Sequence, residues 1–324
     1  AGPLHVVVVG HVSVPVDVPL QGVVVAPRGG CVNGGDVPAH LVGAVVEVLG
    51  PVPLAVLLGL QGQIEGEAAG DLEVEVALHD MVPVAMFEEL RAACWRVKKK
   101  VREGTVDVYT HWADTSEPWC IRGLIAPEFD EPIFAEYMLH QPFMDCTRSF
   151  LGNELRLGWI DLRTNPHHQD FPGGWHRDIG NRDPKLEEEM EELKRPINNL
   201  RWYLALVDDD CLQIIPGSQL RNRTECEREC LVNSPHDDLP GQKVIALKAG
   251  QVVFWCGKTI HRGKMRMDIE RLTLAASWRK WEKDEALEEK VDSRFEWRLD
   301  ESIRDFLPPA MHVYYDRWRT LQKN

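Results

Sequence analysis

All 25 aromatic residues of this 324-residue chain lie at or after Phe87. Packed cores lean on aromatic side chains, each burying roughly 150–250 Å², so the stretch before Phe87 lacks the usual means of building one. The same boundary separates other features. Every Lys lies at or after Lys98 and every Thr at or after Thr105, while the first 85 residues are dominated by Val, Gly, Ala, Leu and Pro. Those 85 residues hold one basic residue (Arg28) and nine acidic ones, a charge of −8. The remaining 239 hold 36 basic and 42 acidic residues, a charge of −6, which completes the formal −14. The chain is expected to divide into residues 1–85, a Val/Gly/Ala-rich segment with no assigned role, and residues 86–324, a normally composed domain. Val12–Val18 alternates as an edge strand would, with Pro15 and Pro19 barring a central place. Three readings of the segment stay open: an appendage, a packed extension, or a stretch read in the wrong frame.

An acidic balance argues against a nucleic-acid partner or an anionic membrane surface, both of which need clustered Lys and Arg. The best apolar run, Pro51–Leu60, has ten residues, well short of the roughly 18 or more that would mark a membrane span. Eight cysteines with no CxxC pair are not a disulfide framework in a chain this long. A soluble, cytoplasmic protein acting on a small molecule is the expectation, with its oligomeric state left open. The sequon Asn222-Arg223-Thr224 reads better as part of a helix start, with Thr224 and Glu227 forming a capping box.

Phe87–Val101 carries apolar residues at helical spacing, and 132–139 and 141–151 suggest two more helices. After Gly152 the period changes. Short apolar-rich strands are expected at 154–163, 200–207, 211–215, 243–247, 251–255 and 272–278, divided by Gly, Pro, Asp and Asn turns. The charged stretch 281–305 reads as helical. Helices flanking such a run of strands predict a mainly β fold, a jelly roll with helical buttresses.

His176 and Asp178 are two apart, so extended backbone places them on one face. His261 follows the strand-like Val252–Trp255 and a turn at Gly257-Lys258, and Arg271 opens the strand Leu272-Thr273-Leu274. Two imidazoles and one carboxylate can hold one face of an octahedral Fe(II) and leave the other open. Arg271 offers a guanidinium fork for a carboxylate, and Thr273, on the same strand face, a hydroxyl donor. The adjacent His167 and His168 would point to opposite faces and are expected to lie in a loop.

These segments resemble the phytanoyl-CoA dioxygenase-like family of Fe(II)/2-oxoglutarate oxygenases. The resemblance rests on Gly174-Trp175-His176-Arg177-Asp178, on Cys211–Gln219 with its Pro216-Gly217-Ser218 turn, on Leu247–Gly250, and on Ile260–Gly263 with Glu270-Arg271. It covers about residues 86–320. Gln219 stands where the family often has His, and Gly263 where some relatives offer a hydroxyl. The resemblance implies a cupin-like double-stranded β-helix, with His176, Asp178 and His261 as metal ligands and catalytic residues. Arg271, helped by Thr273, would grip the distal carboxylate of 2-oxoglutarate, and dioxygen would be the second co-substrate. The products would be succinate, CO2 and a hydroxylated substrate. Asp178 disfavours halogenation, because related halogenases vacate that position. Two other readings are a binding or structural protein with a vestigial site, and a metal cupin such as an isomerase, which would leave Arg271 no carboxylate to hold.

One of Trp202 and Tyr203 should face the interior; Trp202 is the candidate for the co-substrate pocket, beside a plain core role. Residues 179–199 form an insert with an acidic helix, which reads as a solvated charged face and is placed where a lid would lie. Arg156 and Arg163, on the strand leading to the site, are candidates to meet an anionic substrate, with surface ion pairs as the other reading.

Overall fold

The computed structural model describes residues 5–10, 23–27, 44–49, 75–78, 81–106, 110–112, 118–165, 170–283 and 292–322. The first strands are β1 (His5–Gly10), β2 (Val23–Pro27), β3 (Ala44–Leu49) and β4 (Glu75–Leu78). Helix α1 (Val84–Arg102) follows, then β5 (Thr110–Trp112), β6 (Pro118–Arg122), α2 (Ile133–Met138) and α3 (Gln141–Leu151). The central part comprises β7 (Leu155–Arg163), β8 (Phe171–Pro172), α4 (Leu186–Lys194), β9 (Asn199–Ala205), β10 (Asp209–Ile214) and α5 (Glu225–Asn233). It closes with β11 (Lys243–Leu247), β12 (Val252–Trp255), β13 (His261–Met265), β14 (Thr273–Lys280), α6 (Ser302–Phe306) and α7 (Pro309–Thr320).

Two sheets result. The larger runs β2-β3-β1-β4-β12-β9-β14-β7-β6-β5 and the smaller β11-β10-β13-β8, all by antiparallel pairing. The core of the larger sheet, β12-β9-β14-β7, faces the smaller one, which is the interleaved arrangement of a double-stranded β-helix. The fold is mainly β with flanking helices, as the strand pattern predicts. β4 pairs with β12 through Val252↔Leu78 and Val253↔Ala77, so backbone from the Val-rich segment continues the sheet. The edge strand expected at Val12–Val18 and the pair His167-His168 lie outside the described residues.

Alternation along the strands decides which core each residue joins. On β9, Leu200, Trp202 and Leu204 face the helices, while Tyr203 and Ala205 face the gap between sheets. On β14, Leu274, Ala276 and Trp278 join the helix side, and Ala275 the gap. The helix-side core takes Leu90, Ala93, Cys94 and Val97 from α1, the face its spacing predicts, and Phe143 and Met144 from α3. It also takes Met311, Tyr315 and Trp318 from α7, a C-terminal helix that begins beyond the charged stretch 281–305. Thr224 caps α5 with Glu227 in the predicted box.

Trp202 is fully buried, stacks on Phe143 at 5.4 Å between centroids, and donates its indole N–H to the Tyr137 hydroxyl at 2.9 Å. This corrects its expected place in the co-substrate pocket: strand parity sends Trp202 to the helices and Tyr203 to the interior. Trp202→Phe should therefore destabilise the fold by about 2–4 kcal/mol, through a lost partner for Tyr137 and a small cavity. The shift of the urea midpoint measures this, and the affinity for 2-oxoglutarate should stay unchanged.

Candidate metal centre

The backbones of His176 and His261 bond each other reciprocally, N–H to O=C at 3.0 Å both ways. This isolated antiparallel bridge sets the two imidazoles side by side, with ring centroids 4.3 Å apart. Asp178 is fixed two residues on, where its N–H donates to Gly257 O at 2.8 Å. One side-chain ligand atom from each of His176, Asp178 and His261 then lies within 4.8 Å of the others. His176 Nε2 is 3.8 Å from Asp178 Oδ1, and His261 Nε2 is 3.5 Å from Asp178 Oδ2.

The donor chemistry suits a divalent transition metal. Each Nδ1 lies 2.8 Å from a backbone carbonyl, Gly174 O for His176 and Thr259 O for His261. A carbonyl can only accept, so Nδ1 carries a proton in each ring, and Nε2 is the nitrogen turned toward the carboxylate as the candidate ligand atom. Burial, reinforced by the neighbouring His176 ring, pushes the His261 imidazole down to about 3 despite the attraction of Asp178. The ring is thus neutral at physiological pH, the form that ligates a metal. Burial would raise the Asp178 carboxyl, but His261, Arg201 and His176 outweigh it and hold the group below its usual range. The Asp178 and His176 side chains are 30% and 41% exposed against 6% for His261, so the cluster opens to solvent on one side.

Glycines make room for this arrangement. A Cβ on Gly257 would lie 2.9 Å from Asp178 Cβ and 3.0 Å from Oδ2. At Gly173 it would lie 2.7 Å from Gly263 O, the carbonyl that accepts the Gly173 N–H.

Several participants escape a sequence reading. Arg201 donates to Asp178 Oδ2 and stacks its guanidinium over Trp255 and Trp159. It shares the inward parity of Tyr203, the only sequence signal for it. Arg177, between the two cluster residues, points away from them: its guanidinium meets buried Glu189 of α4 at 2.6 Å and the carbonyls of Ser218 and Arg221. Lys258 donates to the carbonyls of Leu193 and Arg195 at the end of the same helix. The acidic helix is therefore solvated along Glu187, Glu188 and Glu191, as expected for a charged face, but pinned by Glu189 and its last carbonyls to the cluster strands.

Deeper in the barrel, Arg271 Nε donates to Asp209 Oδ2 at 2.9 Å, and Thr273 donates its hydroxyl to the same oxygen. The Cys211 N–H binds Asp209 Oδ1 at 2.8 Å. Burial would raise the Asp209 carboxyl; Arg271, the Thr273 hydroxyl and the Cys211 amide together hold it below its usual range. Thr273, expected to reach the co-substrate, spends its proton on Asp209. Among the described residues no protein acceptor meets Arg271 Nη1 or Nη2, and the Tyr203 ring lies 5.9 Å away.

A two-sheet barrel with two imidazoles and a carboxylate gathered at one end is the build of an Fe(II)/2-oxoglutarate oxygenase, whose cofactor is iron and whose co-substrates are 2-oxoglutarate and dioxygen. This chain belongs to the phytanoyl-CoA dioxygenase (PhyH) family, whose model matches residues 76–267. No curated protein matches it. Among solved structures it is similar to AviO1 from Streptomyces viridochromogenes Tue57, at 15% identity over 62% of this chain and 87% of that one, TM-score 0.44. It is also similar to EctD from S. alaskensis, solved with 2-oxoglutarate and 5-hydroxyectoine, at 17% identity over 63% and 71%, TM-score 0.47. A third is the epimerase SnoN from nogalamycin biosynthesis, at 17% identity over 63% and 78%, TM-score 0.46. No helix among the described residues is long and apolar enough to cross a membrane.

Gly257→Ala should push the Asp178 carboxylate out of line and weaken metal binding by about 10–100-fold, the usual cost of disturbing a ligand's support. Anaerobic titration with Co(II), followed by its visible absorption, measures this; wild-type affinity in the variant would mean that Asp178 is not a ligand.

Proposed function

We propose that the chain is a 2-oxoglutarate-dependent hydroxylase of a small molecule, with iron held by His176, Asp178 and His261 and the distal carboxylate of 2-oxoglutarate held by Arg271. The convergence of those three side chains, with both imidazoles turning Nε2 toward the carboxylate while Nδ1 bonds a carbonyl, carries the reading. Bound iron would supply the coupled oxidation in which substrate, 2-oxoglutarate and dioxygen become hydroxylated substrate, succinate and CO2. The remaining work falls to the protein. The carbonyls of Gly174 and Thr259 orient the imidazoles, and Arg201 restrains Asp178 through Oδ2. Asp209 takes the Nε edge of Arg271 and leaves the Nη fork for a bidentate carboxylate. Tyr203, Trp159 and Trp255 line the gap with aromatic surface, which excludes water from the barrel.

The test is an anaerobic titration with Fe(II) and 2-oxoglutarate, monitored by the weak visible charge-transfer band of the chelate. Wild type should develop the band and His176→Ala should not; a band that survives His176→Ala sinks the metal assignment. Arg271→Gln, made with Asp209→Asn so that no buried carboxylate is stranded, should raise the Kd for 2-oxoglutarate relative to Asp209→Asn alone. The loss of a charge-assisted bidentate contact is about 2–3 kcal/mol. Equal affinities would show that another residue does the gripping.

A further inference from the structure

A helix on a protein surface normally docks through an apolar stripe. Helix α4 does not: its one buried residue is Glu189, and its first apolar residue, Leu186, is 53% exposed. A carboxylate taken out of water is costly unless cations meet it. Here they do. Arg177 Nη1 donates to Glu189 Oε1 at 2.6 Å, Arg223 Nε lies 2.7 Å from the same oxygen, and the Arg223 N–H donates to Oε2 at 3.2 Å. Further polar contacts tie down both ends of the insert. Arg223 donates to Arg182 O, Arg228 to Asp183 and Pro184 O, and Lys258 to Leu193 O and Arg195 O. The insert is therefore fastened at its centre by ions and not by an apolar side chain.

Two of these fastenings end on the segments that carry the cluster. Arg177 stands between His176 and Asp178, and Lys258 follows Gly257, whose carbonyl accepts the Asp178 N–H. In extended backbone Arg177 points opposite to its neighbours, so the place at which its guanidinium is held sets the face that His176 and Asp178 present. Its other acceptors, Ser218 O and Arg221 O, are neutral carbonyls. Burial lowers the Arg177 guanidinium from its ordinary value, and Glu189 is the foremost group acting against that. Without Glu189, a buried cation would sit uncompensated between two ligand residues.

We propose that Glu189 is a positioning residue for the metal centre, acting through Arg177, so that docking of the acidic helix and binding of the metal are coupled. This rests on the reading of His176, Asp178 and His261 as ligands. Coupling between two equilibria is reciprocal. A docked helix that raises metal affinity is itself docked more firmly once the metal is bound.

The Kd for Co(II) is measured anaerobically by visible absorption, and backbone hydrogen exchange is followed with and without Co(II). Glu189→Gln should raise the Kd by about tenfold or more. Glu191→Gln, on the exposed face of the same helix, should leave it within about twofold. In an Arg177→Gln background Glu189→Gln should add little, because both changes break one linkage. In wild type, Co(II) should slow exchange of the α4 amides by about tenfold beyond any slowing in α7, which reports global stabilisation alone. That excess should vanish in Glu189→Gln. An unchanged Kd in Glu189→Gln overturns the proposal, and so do additive losses in the double variant, which would mark two independent effects on the fold. Should Glu189→Gln fail to fold, exchange in wild type still decides: α4 protected no more than α7 overturns the coupling. A wild type that binds no Co(II) would instead remove the metal assignment itself.

Discussion

The reciprocal pair of backbone hydrogen bonds between His176 and His261 is the constraint on which the centre depends. A side chain reaches only a few ångströms from its backbone, so two residues 85 positions apart can share an ion only if their strands are brought into register. The bridge does this without a long ladder, because β8 is two residues and pairs only with Met265 and Lys264 further along β13. The Gly173 N–H to Gly263 O bond and the Asp178 N–H to Gly257 O bond bracket the bridge on either side. Register is thereby fixed over the whole His-x-Asp segment, and a slip by one residue would send both side chains to the wrong face.

The second dependence is on close packing behind that segment. Trp175 and Arg177 alternate with the cluster residues and point into protein. Trp175 donates its indole N–H to Asp237 O and lies beneath the Arg262 guanidinium at 4.5 Å, while Arg177 reaches Glu189. Odd and even positions thus divide the labour, one set presenting ligand atoms and the other anchoring the strand. One of the anchors, Arg177–Glu189, is a buried ion pair, which seldom adds stability over an apolar core but does specify geometry. Specified geometry is what a three-residue site needs, since its side chains must be held before any ion arrives.

How much was legible follows the same divide. The three cluster residues were readable because spacing of two, a preceding Gly-Gly and a downstream His after a strand and turn are local signals in the chain. Helix α3 and strand β11 were found at their observed bounds because their apolar periodicity is unbroken. β13 was not, since His261-Arg262-Gly263-Lys264-Met265 has no apolar alternation; its arginine and histidine are buried by partners the chain supplies elsewhere. Asp209 and Arg201 were invisible for a related reason. Their roles are defined by Arg271 and Asp178, residues 62 and 23 positions away, and no local pattern encodes such a meeting. The assignment of Trp202 failed on parity alone: adjacent strand residues are equivalent in sequence and opposite in space.

Net charge illustrates the same limit from the other side. The formal −14 of the chain argues against polyanionic partners, yet Arg122, Arg163, Arg201 and Arg271 gather in the barrel against Asp161, Asp178 and Asp209. A surface charge is screened within about 8–10 Å at physiological salt, whereas buried charges are screened much less. The groups inside the barrel therefore weigh more on a bound anion than the net charge of the chain does. Under the proposed function it is these buried groups, with a bound metal beside them, and not the net charge of the chain, that would decide whether the small anion on which this family's chemistry runs is admitted.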